Sequence, residues 1–206
     1  MSRSLAKVLS VVFHPLLMPT HLFAFILYYL PAPMFPLPLQ VRWAVLVMIF
    51  FTTFIIPALG AYAMIRAGQV DSFEMERREQ RSLPLLFTGL CYTTTAYLLY
   101  REPALDQLFY FIMGVIAVSV FLTFLISLFW KVSAHSVGVG GSLGILFMLH
   151  RLVPDGLMLL PLLFAILLTG AVLSARLALH AHTPAQVYAG FGSGFLLALV
   201  AGAIAF

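Results

Sequence analysis

Three short segments carry the side chains best suited to chemistry. The first is Glu76-Arg77-Arg78-Glu79-Gln80-Arg81-Ser82-Leu83-Pro84. Arg78 and Arg81 are three positions apart and share one face of a helix. Two forked guanidiniums there suit the oxygens of a phosphate. The same run also reads as a solvated loop whose glutamates offset its arginines, which fits Arg77 best. The second segment is Trp130-Lys131-Val132-Ser133-Ala134-His135-Ser136-Val137-Gly138. Lys131 beside Trp130 fits an interfacial anchor, and His135 fits a satisfied polar group in a helix bundle. Together, Lys131, Ser133 and His135 offer charge, a hydrogen-bond donor and a general acid.

The third segment runs from Ser174 through Arg176, His180, His182, Thr183, Pro184 and Gln186 to Gly190. Thr183 suits an N-cap and Pro184 a first helical residue. Thr183-x-x-Gln186 also fits a capping box, which explains Gln186 structurally. That box leaves His182 just before a helix, at the positive end of its dipole, where a phosphate is also stabilised. His135, His180 and His182 have no carboxylate at ligand spacing and lie near cationic residues, which opposes a zinc site. The glycines after His135 follow a helix rather than a strand, so a dinucleotide loop is disfavoured. Gly140-x-x-x-Gly144 and Gly190-x-x-x-Gly194 read instead as helix-packing motifs.

The elements that must position these segments are set by composition. The chain has 206 residues, of which 63% are hydrophobic and only 9% charged. Its mean hydropathy is +1.07. A soluble domain carries about 25% charged residues, and disorder needs low hydrophobicity. Long unbroken apolar runs also argue against a β-barrel, whose strands alternate. The expectation is an all-α polytopic membrane bundle of six to seven transmembrane helices, forming one domain over 1–206. Spans are expected at about 17–30, 43–66, 84–100, 107–130, 136–152, 157–175 and 184–205. Residues 1–15 form an interfacial segment, not a cleaved signal peptide. The proline-rich linker Pro31–Pro38 and the turns Glu102-Pro103 and Pro154-Asp155-Gly156 break the helices.

With that span count, all three polar segments fall on one membrane face. The basic residues place this face in the cytoplasm only if those of the polar segments are counted as topology signals. If they form a site, the rule decides nothing. The single Cys91 excludes an internal disulfide and a cysteine metal cluster. The net charge of +4 lies in no solvated stripe, so nucleic acid is not an expected partner.

These segments, in this order, resemble the type 2 phosphatidic acid phosphatase superfamily, in its compact Bacteroidota-type branch. That branch has a similar FHPLLMP start, a WK-x-S-x-H-x-x-G-x-GG middle and an AHTPAQVYAGF end. Arg176-x5-His182-x3-Gln186 keeps the spacing of the family's third motif. Ser133 and His135 match its second. The first keeps only Arg81, with Glu74 where the family has lysine. The resemblance implies an integral protein of a bacterial cytoplasmic membrane that hydrolyses a phospholipid or polyprenyl phosphate. In that scheme His182 is the nucleophile and His135 the acid. Arg78, Arg81, Lys131, Ser133 and Arg176 hold phosphate, and no metal or other cofactor is needed. Gln186 replaces the family's aspartate. The alternative is a non-catalytic relative that binds anionic lipid or acts as a subunit of a membrane complex; a homo-oligomer is compatible with either. A transporter would carry inverted repeats, and no convincing repeat is present.

Overall fold

The computed structural model describes residues 1–31, 37–75, 77–153 and 156–206. Glu76, the middle of the proline-rich linker and Pro154-Asp155 lie outside the described residues. Among the described residues the regular structure is entirely helical. The helices are α1 (Arg3–Val12), α2 (Met18–Tyr29), α3 (Leu39–Arg66), α4 (Ser82–Arg101), α5 (Gln107–Ser127), α6 (Ala134–Leu152), α7 (Leu159–Ala178) and α8 (Pro184–Ala205). A π-helical turn, Phe51–Ile55, interrupts α3, and a 3₁₀ turn, Arg78–Arg81, leads into α4.

Among the described residues, five helical stretches are long and apolar enough to cross a membrane: α3, Arg78–Arg101, α5, α7 and α8. Their outward faces remain apolar. On α7, Leu160, Phe164 and Leu167 recur at helical spacing and are 75%, 67% and 73% exposed. In water such a stripe would be unfavourable; in hydrocarbon it is the expected surface. The chain is therefore an integral membrane protein.

Two of the seven expected spans fall outside this set of five. Helix α2 has 12 residues, so it extends about 18 Å against a hydrocarbon core of about 30 Å. It stops because Leu30 is extended ahead of Pro31, the conformation that a following proline favours. Helix α6 is long enough at 19 residues, but its glycines, His150 and Arg151 dilute its apolar character.

By packing, the chain divides into two compact units, residues 1–15 with 129–206 and residues 16–128. In the second unit, α4 packs on α3 and α5. Its Tyr92 hydroxyl donates to the Thr53 carbonyl at 3.2 Å, beside the π-helical turn. Phe87 of α4 lies over Gly60, and Phe121 of α5 over Gly89, where a Cβ would not fit.

The first unit is built on α6 and α8. A Cβ on Gly140 would lie 2.4 Å from the Phe191 carbonyl oxygen, and one on Gly144 2.7 Å from that of Phe195. A Cβ on Gly194 would lie 2.2 Å from the Val137 carbonyl oxygen. Both small-xxx-small motifs thus face each other, backbone against backbone. The paired positions rise together along both helices, so α6 and α8 run parallel and start at the same end.

This contact makes a sharp stability test. Gly194→Ala should cost about 1–3 kcal/mol, because neither backbone can yield to a new methyl group. Gly192, with open space around its Cβ position, should tolerate alanine or gain up to about 1 kcal/mol in helix propensity. Thermal unfolding in detergent would measure both. Equal effects at the two positions would contradict this packing.

Candidate functional site

The two helix starts at one end of the first unit carry the second and third polar segments. Ser133 is the N-cap of α6. It is fully buried, and its hydroxyl oxygen accepts from Ser136 N at 3.3 Å. Its backbone N–H donates to the Gln186 carbonyl at 3.3 Å, tying the start of α6 to the first turn of α8. The expected phosphate ligand Ser133 therefore acts here as a cap, and His135 follows it within the first turn of α6. Lys131 precedes them and is partly buried.

The Arg176–His182 spacing has a local cause. Arg176 lies in the last turn of α7, where the helix dipole favours a cation. The helix then closes in a Schellman turn. His180 N donates to the Leu177 carbonyl, and Ala181 N donates to the Arg176 carbonyl. His180 occupies the left-handed position, φ +52°. That position explains a histidine whose sequence neighbours suggested no role. A non-glycine residue pays a conformational penalty there of about 1 kcal/mol. His180→Gly should accordingly raise stability by about that amount, read as an increase in Tm, and a decrease would reject the assignment.

Two residues later, Thr183 caps α8, and its hydroxyl oxygen accepts from Gln186 N at 3.4 Å. The Gln186 Oε1 accepts from Thr183 N at 3.2 Å and is paired with His182 Nδ1 at 3.1 Å. The backbone N–H of Thr183 can only donate, which fixes the amide oxygen on that side. His182 Nδ1 must then carry its hydrogen and donate as well. The neutral imidazole consequently has its lone pair on Nε2, the atom a nucleophile would use. The capping box and the imidazole contact exist together on one oxygen.

The N-terminal helix supplies two further partners. His135 Nε2 lies 3.0 Å from the Ser10 carbonyl oxygen and donates to it. Arg176 Nη1 donates to Ser10 Oγ at 3.0 Å. The His14 ring meets that of His135 edge-on, with centroids 5.5 Å apart. His14 lies outside the helices, and burial, with the positive charge of Arg176 second, holds its pKa below the usual histidine value. Ser10 thus joins His135 and Arg176, with His14 against the His135 ring.

The structure brings Arg176, His135, Ser133, His182 and Gln186 to one end of the first unit. The expected residues Arg78 and Arg81 belong to the second. There Arg78 Nε forms an exposed ion pair with Glu79 at 3.3 Å, a kind of contact that contributes little stability. Arg81 Nε donates to the Met75 carbonyl at 2.9 Å. Sequence reading passed over Ser10 and His14. The only sequence trace is that small residues recur four apart at Ala6 and Ser10, the two positions that the structure shows to be buried in α1. A hydroxyl on that face has to meet a polar partner. No known protein family, curated protein or solved structure matches this chain.

Proposed function

We propose that this chain is a membrane phosphatase acting on a lipid phosphate or pyrophosphate of the phosphatidate or polyprenyl pyrophosphate type. In this reading it is a type 2 phosphatidic acid phosphatase-like bundle, with α2 and α6 completing six to seven membrane segments in a bacterial cytoplasmic membrane. The observation that carries the reading is the His182–Gln186 contact at the start of α8. It orients the ring so that a neutral imidazole carries its lone pair on Nε2, at the same end of the unit as Arg176 and His135.

In the first step the His182 Nε2 lone pair attacks phosphorus, and the bond from phosphorus to the lipid oxygen breaks. The leaving oxygen takes a proton from the His135 imidazolium, which becomes a neutral imidazole able to act as base in the next step. In the second step water attacks the phosphohistidine, its proton passes to His135, and the P–N bond breaks to release phosphate. Arg176 and Lys131 neutralise the equatorial oxygens. Neutralisation and positioning are most of what phosphoryl transfer requires. The two parallel helix starts add positive potential at the same end.

A second reading, a non-catalytic relative that binds anionic lipid or serves in a membrane complex, draws on a specific observation. His135 Nε2–H is held by the Ser10 carbonyl, and Gln186 brings no charge to His182. Purified protein in detergent, supplied with each lipid, separates the two. Phosphate release that depends on His182 supports the enzyme. Release that survives both His182→Ala and His135→Ala excludes this mechanism. Lipid binding without release supports the second reading.

A further inference from the structure

The end of the first unit that gathers Arg176 and His135 already holds a pair of oxygens, supplied by the chain itself. Both belong to Ser10: its carbonyl accepts from His135 and its Oγ from Arg176, each at 3.0 Å. The pairing is chemically unequal. A hydroxyl is a neutral partner for a guanidinium, and the described residues of this unit contain no carboxylate side chain. Arg176 Nε is buried and meets no acceptor among the described residues. A partly buried cation with a neutral acceptor on one nitrogen and an orphaned N–H on another is under-satisfied. Two oxygens of a phosphate would satisfy the fork and neutralise the charge.

Helix α1 is also lightly held. Two of its ten residues, Ala6 and Ser10, are buried, and both are small. Its outer surface exposes Leu5, Val8, Val11 and Val12, together with Arg3 and Lys7. Apolar residues with basic ones on a short helix suit an anionic membrane interface. The helix thus has two places to bind, the bundle through Ser10 and the interface through its outer residues.

We infer that α1 is a self-ligand, with Ser10 occupying the seat of a phosphate group at Arg176 and His135, and that phosphate takes this seat as α1 withdraws. The inference rests on reading this end of the unit as an anion site. It also explains why the imidazole proton needed for the leaving group is held by a backbone carbonyl: this conformation is the closed one.

The test uses full-length protein in detergent, titrated with inorganic phosphate by calorimetry. The variants are Ser10→Ala, Ser10→Cys, which keeps the volume but weakens the acceptor, and Ser10→Thr, which keeps the hydroxyl. Thermal unfolding verifies that each is folded. Ser10→Ala and Ser10→Cys should bind phosphate about tenfold more tightly, the size of one hydrogen bond to a charged group. Ser10→Thr should match wild type, and adding Arg176→Ala should erase the gain. Nanodiscs of phosphatidylcholine with and without phosphatidate provide the second arm. A gain there as well assigns the seat to a lipid headgroup, and a gain with free phosphate alone assigns it to the ion. Equal or weaker binding by both hydroxyl-removing variants overturns the inference. Because the readout is binding, a gain without hydrolysis would reject the phosphatase reading and leave this one standing. Hydrolysis by wild type without any gain would do the reverse.

Discussion

If the proposed mechanism holds, replacing His182 with alanine should lower phosphate release from a lipid phosphate by about 10⁴-fold or more, the scale expected when a covalent nucleophile is lost. The size follows from the role proposed for His182 in the two-step scheme. Without Nε2 no phosphohistidine forms, and what remains is positioning by Arg176 and Lys131. His182→Ala should leave the fold nearly intact, since the cap of α8 resides in Thr183 and Gln186 rather than in the imidazole. A phosphate-release assay with Tm measured alongside separates the two effects. A large loss of Tm with a small loss of rate would mark His182 as structural.

The second large effect runs in the opposite direction. Gln186→Glu is nearly isosteric and places a carboxylate where Oε1 now accepts from Thr183 N and His182 Nδ1. Both bonds survive and become charge-assisted. The negative charge stabilises the imidazolium that develops during transfer. It also sits at the third residue of α8, where the dipole favours it by about 0.3–1 kcal/mol. An acid-to-amide change at the orienting position of the serine-protease triad costs about 10⁴ in rate. The reverse change here should raise kcat by about 10²–10⁴ and raise Tm modestly. Aspartate, the residue the family pattern places here, is one methylene shorter and would not reach both donors from the same backbone. A gain in Tm with no gain in rate would show that Gln186 acts only as a cap.

The positions of α3, α4, α5, α7 and α8 were legible because each is a long apolar run bounded by proline, glycine or a capping residue. Thr183-Pro184-x-Gln186 also announced the start of α8 and its capping box. Glycine spacing announced that α6 and α8 each pack closely on a neighbour, and the span count started both from one face, but only the structure shows that they pack on each other. The shortness of α2 was harder to read, because the apolar run continues to Leu30 and the conformation before Pro31 ends the helix. His180 carried no visible signal, since a left-handed φ leaves no trace in residue type when glycine is absent. Ser10 was obscured for a different reason: its partners, His135 and Arg176, are more than a hundred residues away in sequence, and the amphipathic pattern of α1 suggested only a membrane surface. Periodicity reports which face of a helix is apolar, not which distant cation meets its one buried hydroxyl.

The most direct test of the account is to trap the phosphoryl group on the protein. Wild-type protein is mixed with a lipid pyrophosphate labelled in its terminal phosphate, quenched in alkali, which preserves phosphohistidine, and digested for mass spectrometry. The expected result is a transient, acid-labile label on the peptide bearing His182, absent in His182→Ala and longer-lived in His135→Ala. Turnover with no label on His182, or a label that persists in His182→Ala, would contradict it.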